Sequence, residues 1–234
     1  MEITDPRFRI AASRRMLYRE GCDSGVAGHV SERAADGESF WVSAFGYFDE
    51  TTPDTVLRYS FDLDLLDGEA PASPAVEFHA AVYRERPDVQ SVIHTHSHYV
   101  MVFAALVKEL GMYNDAACLF YGQQVLYADD GTRPPVEGKR VAAELGDKSV
   151  LWMKNHGVLL ASPSLEEATV MAMVAEHQSR VHLDAATVGG AVEHTVAYVT
   201  AGATPYRKYY IPQTWEANMR RLRRTDPDLF EHLT

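Results

Sequence analysis

Cysteine is nearly absent from this 234-residue chain. Cys22 and Cys118 are too few and too far apart for a disulfide framework or a C-x-x-C metal knuckle. Long apolar runs are missing as well. None reaches the ~20 residues that a bilayer-spanning helix needs, so a membrane is not an expected partner. The opening Met1-Glu2-Ile3-Thr4-Asp5-Pro6 lacks the basic and apolar regions of an export signal, and the expected compartment is the cytoplasm. Positive charge is scarce. Lys and Arg number 22 against 33 Asp and Glu, a net charge of -11, which argues against nucleic acid as a partner. The local exception is Arg220-Arg221-Leu222-Arg223-Arg224. It reads as the solvated or subunit-facing side of a terminal helix, with a phosphate or nucleic-acid contact as the alternative. There is no G-x-G-x-x-G and no P-loop, so a nucleotide cofactor has no support. No tandem repeat, low-complexity tract or long linker divides the chain. The simplest organisation is one domain, 1–234, with 205–234 as a C-terminal tail and helix.

Turn and cap signals mark the elements. Asp5-Pro6 opens a first helix that ends near Gly21. Short β-like runs follow at His29 to Glu32, Phe40 to Ala44 and Val56 to Phe61, with a hairpin turn at Ala35-Asp36-Gly37. Ser73-Pro74 opens a second helix, closed by Pro87. Val89 to Thr95 reads as strand, Tyr99 to Leu110 as helix stopped by Gly111, and Leu119 to Tyr127 as strand. Val136 to Leu145 is a short helix; Ser149 to Met153 and Val158 to Ala161 are β. Ser164-Leu165-Glu166-Glu167 is a capping box that starts a long helix, and Trp215 to Arg224 is a last amphipathic one. Adjacent hairpin-like strands among the helices predict an α/β fold with a mixed or mostly antiparallel sheet covered by helices.

The chemistry is concentrated in Val92-Ile93-His94-Thr95-His96-Ser97-His98. A strand sends alternate side chains to one face, so His94 and His96 project side by side and can close on one metal ion. A catalytic metal commonly takes three protein ligands and keeps a position open. His156 is the best third ligand, because it follows the apolar Val150-Leu151-Trp152-Met153 and precedes Gly157, at the end of a core strand. His98 falls on the same face if the strand continues, but reads better as the start of the next helix. His29, after a glycine turn, is a candidate to line the pocket. His79, His177, His182, His194 and His232 have no such context and read as structural.

Five segments then carry a resemblance: Gly28-His29-Val30-Ser31-Glu32-Arg33; Phe78-His79-Ala80-Ala81-Val82-Tyr83 with Arg86-Pro87-Asp88-Val89; His94-Thr95-His96-Ser97; Asn155-His156-Gly157-Val158-Leu159; and the helix led by Leu165-Glu166-Glu167-Ala168. In order and spacing they resemble the class II aldolase/adducin-head family over roughly residues 5 to 185. The resemblance implies a three-layer α/β/α sandwich around a central mixed, mostly antiparallel sheet. It implies a divalent metal at His94, His96 and His156, zinc first, with manganese or iron as alternatives. It also implies a homotetramer whose active site borders a neighbour that supplies a tyrosine. The family includes sugar-phosphate aldolases, an epimerase, a dehydratase, decarboxylases of hydroxy acids, a few iron oxygenases and metal-free adducin heads.

The chain departs from the phosphate-using members at three places. It has Gly28-His29 in place of Gly-Asn, Ser43-Ala44-Phe45-Gly46 in place of a Thr-Gly turn, and Ser73-Pro74-Ala75-Val76 in place of a Ser-Ser pair. Most donors for a phosphate are missing, and the Gly-His form resembles the bacterial adducin-like branch. The family's catalytic carboxylate, four residues before the motif histidine, falls on Ala75; Glu77 is about 200° away on a helix. Glu77 is carried as catalytic acid/base or fourth ligand, against a solvated first-turn glutamate. The basic-aromatic cluster Arg207, Lys208, Tyr209 and Tyr210 sits in a tail that can reach a neighbouring site, with Tyr209 as its catalytic candidate. Substrate-binding candidates are His29, Ser43, Gly46, Arg207 and Tyr121, with Gln123 beside the last. The expected activity is a metal-dependent lyase that cleaves a C–C bond of a hydroxy- or oxo-carboxylic acid by aldol cleavage or decarboxylation. A non-haem iron oxygenase on an aromatic or 2-oxo acid, a sugar-phosphate aldolase or epimerase, and a non-catalytic scaffold are the alternatives.

Overall fold

The computed structural model describes residues 1–128 and 137–233. In chain order it runs α1 (Pro6–Arg19), β1 (His29–Arg33), β2 (Ser39–Ser43), β3 (Val56–Ser60), β4 (Leu65–Asp67), α2 (Val76–Glu85), β5 (Ser91–Thr95) and α3 (His98–Ala104). It continues with β6 (Gln124–Tyr127), α4 (Gly138–Leu145), β7 (Val150–Met153), β8 (Gly157–Ser162), α5 (Leu165–Thr187), α6 (Val196–Pro205), α7 (Ile211–Thr225) and α8 (Pro227–Phe230). Val136, where the fourth helix was expected to begin, and Thr234 lie outside the described residues.

Among the described residues the strands form one sheet in the order β4-β3-β2-β1-β5-β8-β7-β6. Its pairs are antiparallel except β6 with β7, which is parallel. This is the mixed, mostly antiparallel sheet that the hairpin-like spacing predicts. Strand alternation divides the core into two layers. Val30, Ile93, Val158 and Leu160 face α1, α3, α5 and α7, with Phe8, Ile10, Leu17, Phe103 and Trp215. Val42, Val92, Leu151 and Leu159 face α2 and α4, with Phe78, Val82, Val141 and Leu145. Fully buried side chains of this size stabilise by roughly 1.5–3 kcal/mol each.

Local signals account for the starts of the helices. Asp5 accepts from the Arg7 amide and Pro6 opens α1; Ser164 accepts from the Glu167 amide and opens α5. Four expectations are corrected. The second helix starts at Val76, not at Ser73-Pro74, because the Ser73 hydroxyl is spent on the Ala75 amide in a turn that precedes the helix. The helix expected from Tyr99 to Leu110 stops at Ala104, and Val107 takes a left-handed φ of 51° beyond it. The strand expected from Leu119 is instead a 3₁₀ turn (Asp115–Leu119), a bend at Gly122 with φ 67°, and then β6. The C-terminal segment is no free tail. Its α7 packs on α5 and α1, burying Trp215, Met219 and Leu222, and Arg15 and Arg19 of α1 reach Asp226 at 3.5 and 3.0 Å. Between α6 and α7, Tyr206–Tyr210 forms a π turn. Pro212 has no N–H for the carbonyl of Lys208, so the regular i→i−4 ladder cannot close there.

One contact ties the helical layer to the end of β5. Glu176 of α5 is buried; it accepts from the Ser97 hydroxyl at 2.7 Å and from the Tyr99 and Val100 amides at 3.1 and 2.9 Å. A carboxylate from another helix thus serves the N-terminus of α3, where Ser97 itself makes no side-chain cap. Glu176→Ala strands three donors and is expected to lower unfolding stability by about 2–4 kcal/mol in urea titrations, with Glu176→Gln losing less.

Candidate metal centre

The centre lies at the end of the sheet where β5 finishes and β8 begins. The β7–β8 connection turns tightly, with Asn155 at φ 55° and the His156 amide donating to the Met153 carbonyl at 3.0 Å. This folds His156 back over the end of β5, where Thr95 pairs with Val158. Two glycines allow the approach. A Cβ on Gly157 would lie 2.3 Å from the Thr95 carbonyl oxygen and 3.0 Å from His96 Cδ2. One on Gly28, at φ +110°, would lie 3.1 Å from the His94 carbonyl oxygen.

His94, His96 and His156 converge here. Their ring centroids are 4.4 Å (94–96), 5.0 Å (94–156) and 4.8 Å (96–156) apart. One ligand atom from each lies within 4.8 Å of the others, and His94 Nε2 is 3.3 Å from His156 Nε2. Two nitrogens bound to one tetrahedral zinc at about 2.0–2.1 Å are separated by about 3.4 Å, so the observed edge matches a shared cation. The hydrogen bonding fits too. His94 Nδ1 is 2.9 Å from the Val158 carbonyl, which can only accept, so the proton is on Nδ1 and the Nε2 lone pair faces the centre. His96 is held by its own amide, which donates to Ser24 Oγ at 2.6 Å, and by a hydrogen bond from its ring to the Ala27 backbone. Burial disfavours the charged form of His94 and His96. It pushes His94 well below the usual range and His96 down to about 4, with the neighbouring imidazoles adding to the effect. Converging imidazoles, two of them held neutral in this way, suit a divalent cation.

The other expected site residues divide in two. His29 is at the centre: its pairing with His94 across β1 and β5 sets their rings 5.5 Å apart. Ser43 and Gly46 stand two strands away, on a turn clamped from beneath. The buried Arg14 guanidinium donates to the Ala44 and Gly46 carbonyls at 2.7 and 2.6 Å, while Ser43 Oγ accepts from the Val30 amide at 3.1 Å. Burial without a bonded carboxylate lowers the Arg14 pKa to about 9.

Glu77 is elsewhere. With the helix starting at Val76, its exposed side chain turns to α4 and its Oε1 accepts from the Gly138 amide at 2.9 Å. Tyr121 and Gln123 are at the wrong end of the sheet. Gln124 pairs with Val150, so they lie a strand's length from Met153 and the His156 turn. Arg207 is at that far end as well, with Nε 3.0 Å from Glu167 Oε1 in the first turn of α5, which follows the far end of β8. Tyr209, on the same π turn, is 60% exposed, and Lys208 lies 5.1 Å from its ring centroid. Within one chain these residues do not join the histidines.

Sequence reasoning missed a set of polar groups behind His29. His79, read as structural, places Nε2 3.1 Å from His29 Nδ1 and Nδ1 2.6 Å from Ser31 Oγ. Ser31 Oγ in turn lies 2.7 Å from Tyr83 Oη. All four are buried. The signal was present: His29 and Ser31 alternate on one strand face, and His79 and Tyr83 are i, i+4 on one helix face, each a polar residue at a core position.

The profile described as the Class II Aldolase and Adducin N-terminal domain matches residues 8–183. The chain is 31% identical over 195 residues to a protein of Streptomyces roseochromogenus subsp. oscitans named 4-hydroxy-3-prenylphenylpyruvate oxygenase/4-hydroxy-3-prenylbenzoate synthase, covering 79% of this chain and 69% of that one. It is 31% identical over 172 residues to Decarboxylase NovR of Streptomyces niveus, covering 69% and 63%. Among solved structures, an aldolase II superfamily protein from Pseudomonas syringae superposes with a TM-score of 0.84 at 25% identity, covering 96% of this chain and 94% of that one.

Two outcomes follow from the packing of the centre. Gly157→Ala forces apart the Thr95 carbonyl and His96, and is expected to weaken zinc affinity by about 10–100-fold in competition with a chromophoric chelator. Burial also pushes His79 down to about 3, whereas an unfolded histidine titrates near 6.5. Below about pH 6.5 the unfolded chain therefore binds a proton that the folded one excludes. Stability is fully present above that pH and falls as pH drops toward about 3. The thermal midpoint of metal-free protein should already decline between about pH 6.5 and about 4.5, before carboxylates contribute.

Proposed function

The chain belongs to the class II aldolase and adducin N-terminal family, and from that premise we propose that it is a metal-dependent lyase that breaks a C–C bond of a hydroxy- or oxo-carboxylic acid. The observation that carries this reading is the convergence of three imidazoles, one buried and two half-buried, with His94 Nε2 3.3 Å from His156 Nε2. His94, His96 and His156 would hold a divalent cation, zinc first and manganese or iron as alternatives, which when bound would supply Lewis-acid polarisation of a substrate oxygen.

The residues around it decide which bond. Aldol cleavage requires a base for the substrate's hydroxyl proton. Ala75 stands where a carboxylate would serve, and Glu77 is occupied by the Gly138 amide. Decarboxylation needs no such base at the outset, and of the two lyase reactions it suits this constellation better. The similarity to Decarboxylase NovR supports the same choice. A phosphorylated sugar fits less well, because the Ser43–Gly46 turn carries one hydroxyl side chain, and that hydroxyl already accepts from the Val30 amide. A small carboxylate needs less, and Arg14 sets a buried positive charge beneath this turn.

In this reading the protein works as a homo-oligomer, a tetramer by the family resemblance. Tyr209, at 60% exposure, and the neighbouring Arg207 are then offered to the centre of a second copy. A second reading, a non-haem iron oxygenase acting on an aromatic or 2-oxo acid, is favoured by the likeness to the protein named as a prenylphenylpyruvate oxygenase.

Zinc- and iron-loaded protein incubated with hydroxy and oxo acids separates the two. The lyase reading expects carbon dioxide or an aldehyde without oxygen uptake, loss of at least ~100-fold in rate with a chelator, and recovery on adding metal back. Stoichiometric oxygen consumption favours the oxygenase, and turnover indifferent to chelation contradicts both.

A further inference from the structure

The buried groups behind His29 form a ladder whose direction can be worked out from its far end. Ser31 Oγ has a single proton and three neighbours: the Val92 carbonyl at 3.2 Å, Tyr83 Oη at 2.7 Å and His79 Nδ1 at 2.6 Å. The carbonyl can only accept. When the Ser31 proton goes to Val92, Tyr83 and His79 Nδ1 both donate to Ser31, and every contact is a hydrogen bond. His79 Nε2 is then a bare lone pair, and His29 Nδ1, 3.1 Å away, must carry the proton that fills it. The opposite nitrogen of that ring, His29 Nε2, is left as an acceptor.

The reverse arrangement sends the Ser31 proton to His79. It makes one hydrogen bond fewer and sets the Ser31 and Val92 oxygens face to face with no proton between them. In a site where His79 and Ser31 are fully buried, no solvent replaces the lost bond. Burial keeps His79 neutral at any ordinary pH. Tautomer, not charge, is therefore what the ladder sets.

We infer that Ser31, His79 and Tyr83 fix His29 with Nε2 as a hydrogen-bond acceptor beside the three-histidine centre, so that the site selects 2-hydroxy acids over their 2-oxo analogues. The ring of His29 has His79 on one side, at 5.2 Å between centroids, and His94 on another, at 5.5 Å. A hydroxyl next to a metal-seeking carboxylate donates its proton to Nε2. An oxo group has none to give and brings a second acceptor against the first. Sites built around one hydrogen-bond partner discriminate strongly against analogues that lack it. His29 is the group that meets the ligand; His79, Ser31 and Tyr83 act through it as positioning residues. The inference rests on reading the centre as one that takes a carboxylic acid, and it narrows that class to acids with a hydroxyl donor.

Two measurements test it separately from turnover. Long-range ¹H–¹⁵N spectra of the metal-free protein, with no substitution, report the tautomers. The ladder expects the proton on Nδ1 and a bare Nε2 in both His29 and His79; a proton on His79 Nε2 overturns it. Binding of mandelate and phenylglyoxylate to zinc-loaded protein, followed by calorimetry, reports the selectivity. Mandelate should bind about tenfold tighter or better, as expected for one hydrogen bond gained against an acceptor clash. Ser31→Ala should bring the ratio to about two or less, and Ser31→Thr should restore it. Equal affinities in the native protein, or a ratio unchanged in Ser31→Ala, overturn the inference. If the tautomers and the ratio are as stated but no hydroxy or oxo acid with a carbonyl placed to take the electron pair is cleaved, the lyase reading fails and the ladder stands. If neither acid binds, the carboxylic-acid reading fails, and the selectivity inference fails with it.

Discussion

Antiparallel register across β1, β5 and β8 is the constraint on which the centre depends. His94 pairs with His29 on one side and with Leu159 on the other. Because side chains alternate with period two, a slip of one residue in β5 would turn both His94 and His96 to the opposite face. The register is held by packing: Ile93, Val158 and Leu160 are apolar on the face toward α5, and Val92 and Leu159 on the face toward α2. The same pairing places the β8 start beside Thr95, so that the tight Asn155–Gly157 turn delivers His156 to the other two rings. The three histidines are thus placed by a core that would be apolar whether or not the protein bound a metal.

That placement has an electrostatic consequence. His94 and His96, with other imidazoles as neighbours, are held neutral by burial, and converging imidazole lone pairs are unfavourable company unless a cation sits among them. Second partners then sort the nitrogens: the Val158 carbonyl takes the His94 Nδ1 proton and the Ala27 backbone engages the His96 ring. Beside them Arg14 keeps a buried positive charge under the turn that closes the His29 side. A triad able to hold a cation thus stands near a buried guanidinium, the combination on which the proposal of a small chelating acid as substrate rests.

Much of this was legible in the chain. His94-x-His96 at the end of an apolar strand, and His156 before Gly157, announced the triad because strand periodicity and glycine turns are local properties. The cap at Asp5-Pro6 and the box at Ser164–Glu167 announced α1 and α5 for the same reason. What was not legible depended on distant partners. Glu77 turns to α4 because the helix begins at Val76 and Gly138 offers an amide 61 positions later. Tyr121 and Arg207 lie at the far end because the parallel β6–β7 register and the Glu167 ion pair put them there. His79 looked idle because its neighbours, His29 and Ser31, are 50 and 48 positions away and meet it only after α2 docks.

On the proposed reading, His156 completes a cation site with His94, on β5, and His96, just past its end. Metal analysis of purified, dialysed protein tests it most directly. One tightly held divalent ion per chain is expected in the native protein and about a tenth of that or less in His156→Ala, with the far-ultraviolet circular dichroism unchanged. Native protein that retains no divalent ion after exposure to zinc, manganese or iron, or a His156→Ala variant that retains the full amount, would contradict it.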